Sequence, residues 1–230
     1  MLILALEASA KSASVAICRD GVLLAQTTQN TGLTHSRTLL PAIDGLLRAA
    51  ALCLSDFDAV AVACGPGSFT GVRIGVSTAK GLCWGANLPA IGVSTLEAMA
   101  YNGVAAPPEA IICCAMDARR NQLYNALFSI SDGVPQRLCP DRAIALDALC
   151  DECRKIGRHV YLIGDGAQLC LQHMQQNEIN ATLAPAPLAL PTAWGVAMAA
   201  AGQTPQPAEQ LLPVYLRLSQ AERERQAKMG

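Results

Sequence analysis

Two acids close the apolar runs that open the two halves of the chain. LILALE ends at Glu7, and AIICCAMD ends at Asp117. A carboxylate at the end of a buried strand suits a two-lobed kinase-like protein, which needs acids beside a metal-bound phosphate. The same residue also caps turns, and both readings stand. Between the two acids, residues 65–75 read GPGSFTGVRIG, with four glycines, one proline, Ser68, Thr70 and Arg73. Such a loop running into a helix can receive an anion on its free amides. The known phosphate motifs are nevertheless absent. A Walker A loop needs Lys and then Ser or Thr after its last glycine, but Val72 and Arg73 follow Gly71. The dinucleotide fingerprint needs glycine at the position of Thr70.

The other candidates for chemistry are sparse. His35 has Leu39 four residues later, so it lacks the second ligand of a helical metal site. His159 and His173 are isolated. No serine stands in a G-x-S-x-G elbow, which removes the support for a hydrolytic nucleophile. Cys150 and Cys153 form one C-x-x-C with no second pair, which is one helical turn rather than a zinc site. No catalytic, metal-binding or cofactor-binding residue is assigned.

The glycine run has a second use. With a helix starting near Thr70, Gly71, Gly75 and Ala79 fall at i, i+4 and i+8. A face without bulk lets another element approach closely, although each glycine costs helix stability. That element is the protein's own sheet or a partner chain.

These residues are carried by a repeated plan. The run 2–7 is a strand. Runs 13–18 and 22–28 flank Asp20-Gly21, a hairpin turn. An amphipathic helix follows over about 35–52, with Pro41 loosening its first part. A strand over 58–64, a helix over 70–85, a strand over 90–93 and a helix from Ser94 complete the half. After Pro107-Pro108 the plan restarts: Asp117 follows Glu7 by 110 residues, and Asp132-Gly133 follows the first Asp-Gly by 112. The spacing predicts an α/β protein of two related lobes. The expected division is 1–104 for the first lobe, completed by a C-terminal helix over about 192–218. The second, smaller and degenerate lobe spans 105–191, and 219–230 is expected to be a disordered tail.

Composition narrows the function. Hydrophobic residues are 52% of the 230, and charged residues only 15%, against about 25% in average proteins. Abundant alanine accounts for that, or part of the surface is covered by another protein. The net charge of −1 lacks the basic excess by which a protein grips a nucleic-acid backbone unaided. Cys18, Cys64, Cys113 and Cys114 lie in apolar runs as small buried hydrophobes. No run reaches a membrane span, and Glu7 ends the first apolar stretch before a signal-peptide core forms. A cytoplasmic protein is expected.

The stretches LILALEAS, HSRTLLPAI, GPGSFTGVRIG, GVSTLEAMA, MDARRNQLY and PVYLR, in that order over nearly the whole chain, closely resemble the TsaB (YeaZ) family. The resemblance is strongest through the first hundred residues. It implies the actin/sugar-kinase/Hsp70 (ribonuclease H-like) fold and a part in making threonylcarbamoyl-adenosine in tRNA. In that family the paralogue TsaD transfers the threonylcarbamoyl group from threonylcarbamoyl-AMP, TsaB supports TsaD, and the ATPase TsaE docks on the pair. TsaD carries His-x-x-x-His, which here reads His35 and Leu39, as in a member that has lost the metal. The resemblance further implies that the helices near 35–52 and 70–86 meet TsaD, or a second TsaB when TsaD is absent. Contact with tRNA then comes only through the complex. The expected interface residues are His35, Leu39, Ile43, Leu46, Gly71, Val72, Gly75 and Ala79. The competing reading is an ATP-dependent phosphotransferase using Glu7 and Asp117. Peptidase activity, an older label of the wider family, has neither metal pair nor nucleophile elbow behind it.

Overall fold

The computed structural model describes residues 1–217; the tail expected over 219–230 lies outside them. Two mixed sheets share one plan. In the first, β1 (Leu2–Glu7), β2 (Ala13–Arg19), β3 (Val22–Gln29), β4 (Ala59–Ala63) and β5 (Ala90–Val93) lie in the order β3-β2-β1-β4-β5. The β1–β2–β3 part is antiparallel, and β4 and β5 add in parallel. In the second sheet, β6 (Ile111–Asp117), β7 (Gln122–Ser131), β8 (Val134–Arg137), β10 (Val160–Ile163) and β11 (Ala181–Leu183) repeat that order, and β9 (Arg142–Ala145) pairs with β7.

The turn chemistry repeats as well. Asp20 and Gly21 both have positive φ, as do Asp132 and Gly133, the combination a tight hairpin needs. Gly65 after β4 and Gly164 after β10 share φ of 116°, at equivalent strand ends. The second lobe therefore keeps every strand of the first. Its reduction is one of length: α5 (Ala167–Gln176) has 10 residues where α2 (Phe69–Ala86) has 18.

Helices α1 (His35–Ala49) and α2 cover one face of the first sheet. Leu39, Ile43 and Leu46 from α1 and Val72, Val76, Ala79 and Cys83 from α2 pack on Leu2, Leu4, Leu6, Val60 and Val62. α4 (Leu146–Ile156) and α5 do the same for the second sheet, burying Leu149, Cys150, Cys153 and Cys170. The C-x-x-C is thus a core-facing turn of helix. Burial pushes the Cys153 and Cys170 thiols up to about 12, so both stay protonated.

The halves exchange their last helices. α3 (Thr95–Ala100), capped by Ser94 on the Glu97 amide at 3.2 Å, puts Leu96, Met99 and Ala100 on the second sheet. α6 (Ala193–Ala200) puts Ala193, Val196 and Ala197 on the first. Their backbones nearly touch, since a methyl group on Gly195 would overlap the Ala98 carbonyl oxygen. A break near 104 in sequence is therefore not a break in space.

The C-terminal helix expected to reach 218 ends at Ala200. Gly202, Pro205, Pro207 and Pro213 cannot continue it. The chain instead returns along the first lobe as a strap. Ala90 and Gln206 exchange backbone hydrogen bonds at 2.8 Å, Leu211 is buried, and Val214 N donates to Cys64 O at 2.7 Å. Among the described residues no helix is long and apolar enough to cross a membrane.

Candidate functional site: the glycine loop, the cleft and the outer helix pair

The glycine loop receives its own chain. Ser9, in the turn after β1, presents its carbonyl oxygen to the Ser68 amide at 2.7 Å. A Cβ on Gly67 would stand 2.5 Å from that same oxygen, and one on Gly71 would overlap Ala8 O. Gly71 N is already bonded to the Ser68 side chain, which caps α2. Two amides of the loop are thus spent, that of Ser68 on the β1–β2 turn and that of Gly71 on the helix cap, and the glycines let this turn lie against the loop.

The two strand-ending acids behave alike. Glu7 Oε1 accepts from Ser9 N at 2.6 Å, and Asp117 Oδ1 accepts from Arg119 N at 2.7 Å, each capping the amide two residues on. Glu7 is fully buried, and burial raises its carboxyl to about 7 against the opposing pull of the Ser9 hydrogen bonds. Asp117 is part-exposed at the mouth of a cleft of about 650 Å³ between the lobes, with Ser68, Thr70, Asp165 and Arg217 around it. Glu7 is not on that cleft's wall. A nucleotide-bound metal therefore finds one of the two expected acids sealed away and the Ser68 and Gly71 amides already bonded; the residues do not fit that group. Among the described residues no three His, Cys, Asp or Glu side chains are placed to share a metal ion.

The expected interface residues lie on the inner side of the helix pair. Leu39, Ile43, Leu46, Val72 and Ala79 are core residues, Gly71 is pressed on Ala8, and a Cβ on Gly75 would touch Ala8 and Val62 at 3.4 Å. Of the two uses expected for the stripe without bulk, the structure shows approach to the protein's own sheet. His35 is partly buried, with Nε2 2.8 Å from Ala10 O, to which it donates. Leu39, in the place of a second histidine, is 1% exposed.

The outer side shows residues that periodicity did not select. Gly45 on α1 and Gly81 and Gly85 on α2 face outward, with nothing within 4 Å of where a Cβ would stand. Leu40 on α1 and Trp84 on α2 are also exposed, 54% and 59%, and Trp84 Nε1 donates to Glu209 Oε1 at 2.8 Å. Glycine on the solvent side of a helix interior was the available signal.

A family model described as "TsaD: tRNA N6-adenosine threonylcarbamoyltransferase" matches residues 24–223. The tRNA threonylcarbamoyladenosine biosynthesis protein TsaB of Bacillus subtilis (strain 168) is 31% identical over 236 residues, 96% of each chain. The chain belongs to the TsaB family. A Pseudomonas aeruginosa crystal structure, described as an uncharacterized protein with similarity to peptidase YeaZ, superposes with a TM-score of 0.80. Its identity is 27% over 94% of this chain and 99% of that one. Component A of the (R)-2-hydroxyglutaryl-CoA dehydratase of Acidaminococcus fermentans shares the fold alone. It has a TM-score of 0.50 at 12% identity over 87% of this chain and 96% of that one. The TsaB resemblance and the two-lobed α/β fold read from the sequence are both borne out.

Proposed function

We propose that this chain is the accessory, non-catalytic TsaB subunit of tRNA threonylcarbamoyladenosine synthesis. In this reading it docks a TsaD-type partner through the outer surface of α1 and α2. TsaD, with TsaE on the pair, then transfers the threonylcarbamoyl group to tRNA. Membership of the TsaB family supports the pathway. The outward glycines Gly45, Gly81 and Gly85 carry the docking surface: nothing within this chain explains them, and each costs about 0.5–1 kcal/mol relative to alanine. A helix pair bears that cost where another helix must come close. Exposed Leu40 and Trp84, on the same two helices, supply apolar anchors. The eight residues expected from sequence support this surface from beneath, and the same surface serves a second copy when TsaD is absent. The charge balance leaves tRNA to the partner.

The test is co-expression with TsaD of the same organism, followed by size exclusion. The wild type co-elutes with TsaD, and Gly81→Leu, with a side chain filling the approach, does not. Co-elution of Gly81→Leu at wild-type yield would remove the docking surface from this account.

The phosphotransferase reading lacks its geometry. Glu7 is enclosed, and the Ser68 and Gly71 amides are bonded to Ser9 and to the Ser68 side chain.

A further inference from the structure

The interlobe cleft and the outer face of α2 are joined by one short piece of chain. Leu211 anchors the strap in the first core, and the Val214 amide is tied to Cys64 O. Gly65, with its positive φ, has no side chain, which leaves room for the Val214 carbonyl. The next residue, Tyr215, stacks on Phe69 at the start of α2 with ring centroids 4.7 Å apart. Its hydroxyl accepts from Arg73 Nε at 2.8 Å, while the Arg73 guanidinium lies 3.8 Å over the Phe69 ring. Two residues further, Arg217 reaches across the cleft. It donates to the Ala118 carbonyl at 2.5 Å, and at 3.4 Å to that of Arg119, both in the β6–β7 turn of the other sheet.

Arg73 is an outward residue of α2, whereas Arg217 lines the cleft. Three side-chain contacts in series therefore connect the relative position of the lobes to the first turns of α2. A hydrogen bond from a charged guanidinium to a carbonyl is worth more than a neutral one. The Tyr215–Phe69–Arg73 stack adds aromatic and cation–π attraction at one end of α2.

We propose that residues 211–217 are a latch: closure of the cleft, held by Arg217 on the Ala118–Arg119 turn, orders the α2 surface that receives the partner. The inference rests on the docking reading above. Because coupling between two sites is reciprocal, the partner favours the closed cleft to the same extent that the closed cleft favours the partner.

The experiment is hydrogen exchange on the isolated protein combined with titration of TsaD. Arg217→Ala cuts the latch at the second lobe without touching α1 or α2. Exchange over residues 70–77 speeds up with that variant, as expected when a local element loses its tether. TsaD affinity falls about fivefold, the low end of typical coupling. Arg217→Lys, which keeps a donor for one carbonyl, recovers part of both effects. Arg158→Ala, removing another cation of the second lobe that donates to the Glu109 carbonyl, changes neither. Unchanged exchange over 70–77 in Arg217→Ala overturns the latch. Faster exchange with unchanged TsaD affinity, while Leu40→Glu still abolishes binding, also overturns it and leaves the docking surface standing. TsaD binding that survives Leu40→Glu removes the docking surface and the latch with it.

Discussion

The Ser9 carbonyl oxygen lies 2.5 Å from where a methyl group on Gly67 would stand, and it bonds the Ser68 amide at 2.7 Å. This contact decides what GPGSFTGVRIG is for. The loop is a socket for the β1–β2 turn of the same lobe, and the phosphate-like composition follows from how closely two backbones meet there.

Substitution in the socket is costly. Gly71→Ala drives a methyl into Ala8 O, and overpacking of this kind costs about 1–3 kcal/mol. Urea denaturation with an unchanged slope and a lower midpoint is the expected result. On the outer surface the sign reverses. Gly81→Ala meets nothing, so the free protein gains up to about 1 kcal/mol from helix propensity, while TsaD binding weakens.

Glu7 gives a pH signature. Its carboxyl is raised to about 7 in the folded protein, against about 4.3 when unfolded. The folded state thus holds a proton that the unfolded state has released. Stability from this group is present in full below about 4.3 and is lost as pH rises through 7. Glu7→Gln keeps an acceptor for Ser9 without the titration. It is therefore more stable than wild type at pH 8, by up to about 4 kcal/mol for this shift, and the advantage shrinks towards pH 5. Melting curves of both proteins across pH check this.

The isolated protein is expected not to turn over ATP. With Glu7 enclosed and the Ser68 and Gly71 amides engaged, calorimetry with millimolar Mg-ATP gives no saturable heat, and saturable binding would revive the phosphotransferase reading.

Much of this was legible in the sequence, for identifiable reasons. The two Asp-Gly turns, the strand Ala90–Val93 and the Ser94 cap each carry a local signal strong enough to survive tertiary context. β8, β9 and β11 went unseen because each has only three or four residues, and Pro135 interrupts β8. The last helix was drawn too long, although Gly202, Pro205, Pro207 and Pro213 mark its end. The residues expected at an interface lie in the core, because periodicity finds a face and does not say what covers it. Gly71, Gly75 and Ala79 share a stripe, but the surface above them is the first sheet. The return of the last helix to the first lobe was expected, but the crossing of α3 to the second sheet left no mark that pattern alone could reveal.

The account's central claim is that the outer α1–α2 surface lets this chain support a separate transferase. The direct measurement combines this protein with TsaD, TsaE and the threonylcarbamoyl-AMP synthase and quantifies the modified nucleoside in tRNA by mass spectrometry. Wild type restores modification that it cannot perform alone, and a folded Leu40→Glu, Gly81→Leu double variant does not. Full modification with that variant, or modification by this protein without TsaD, would contradict the account.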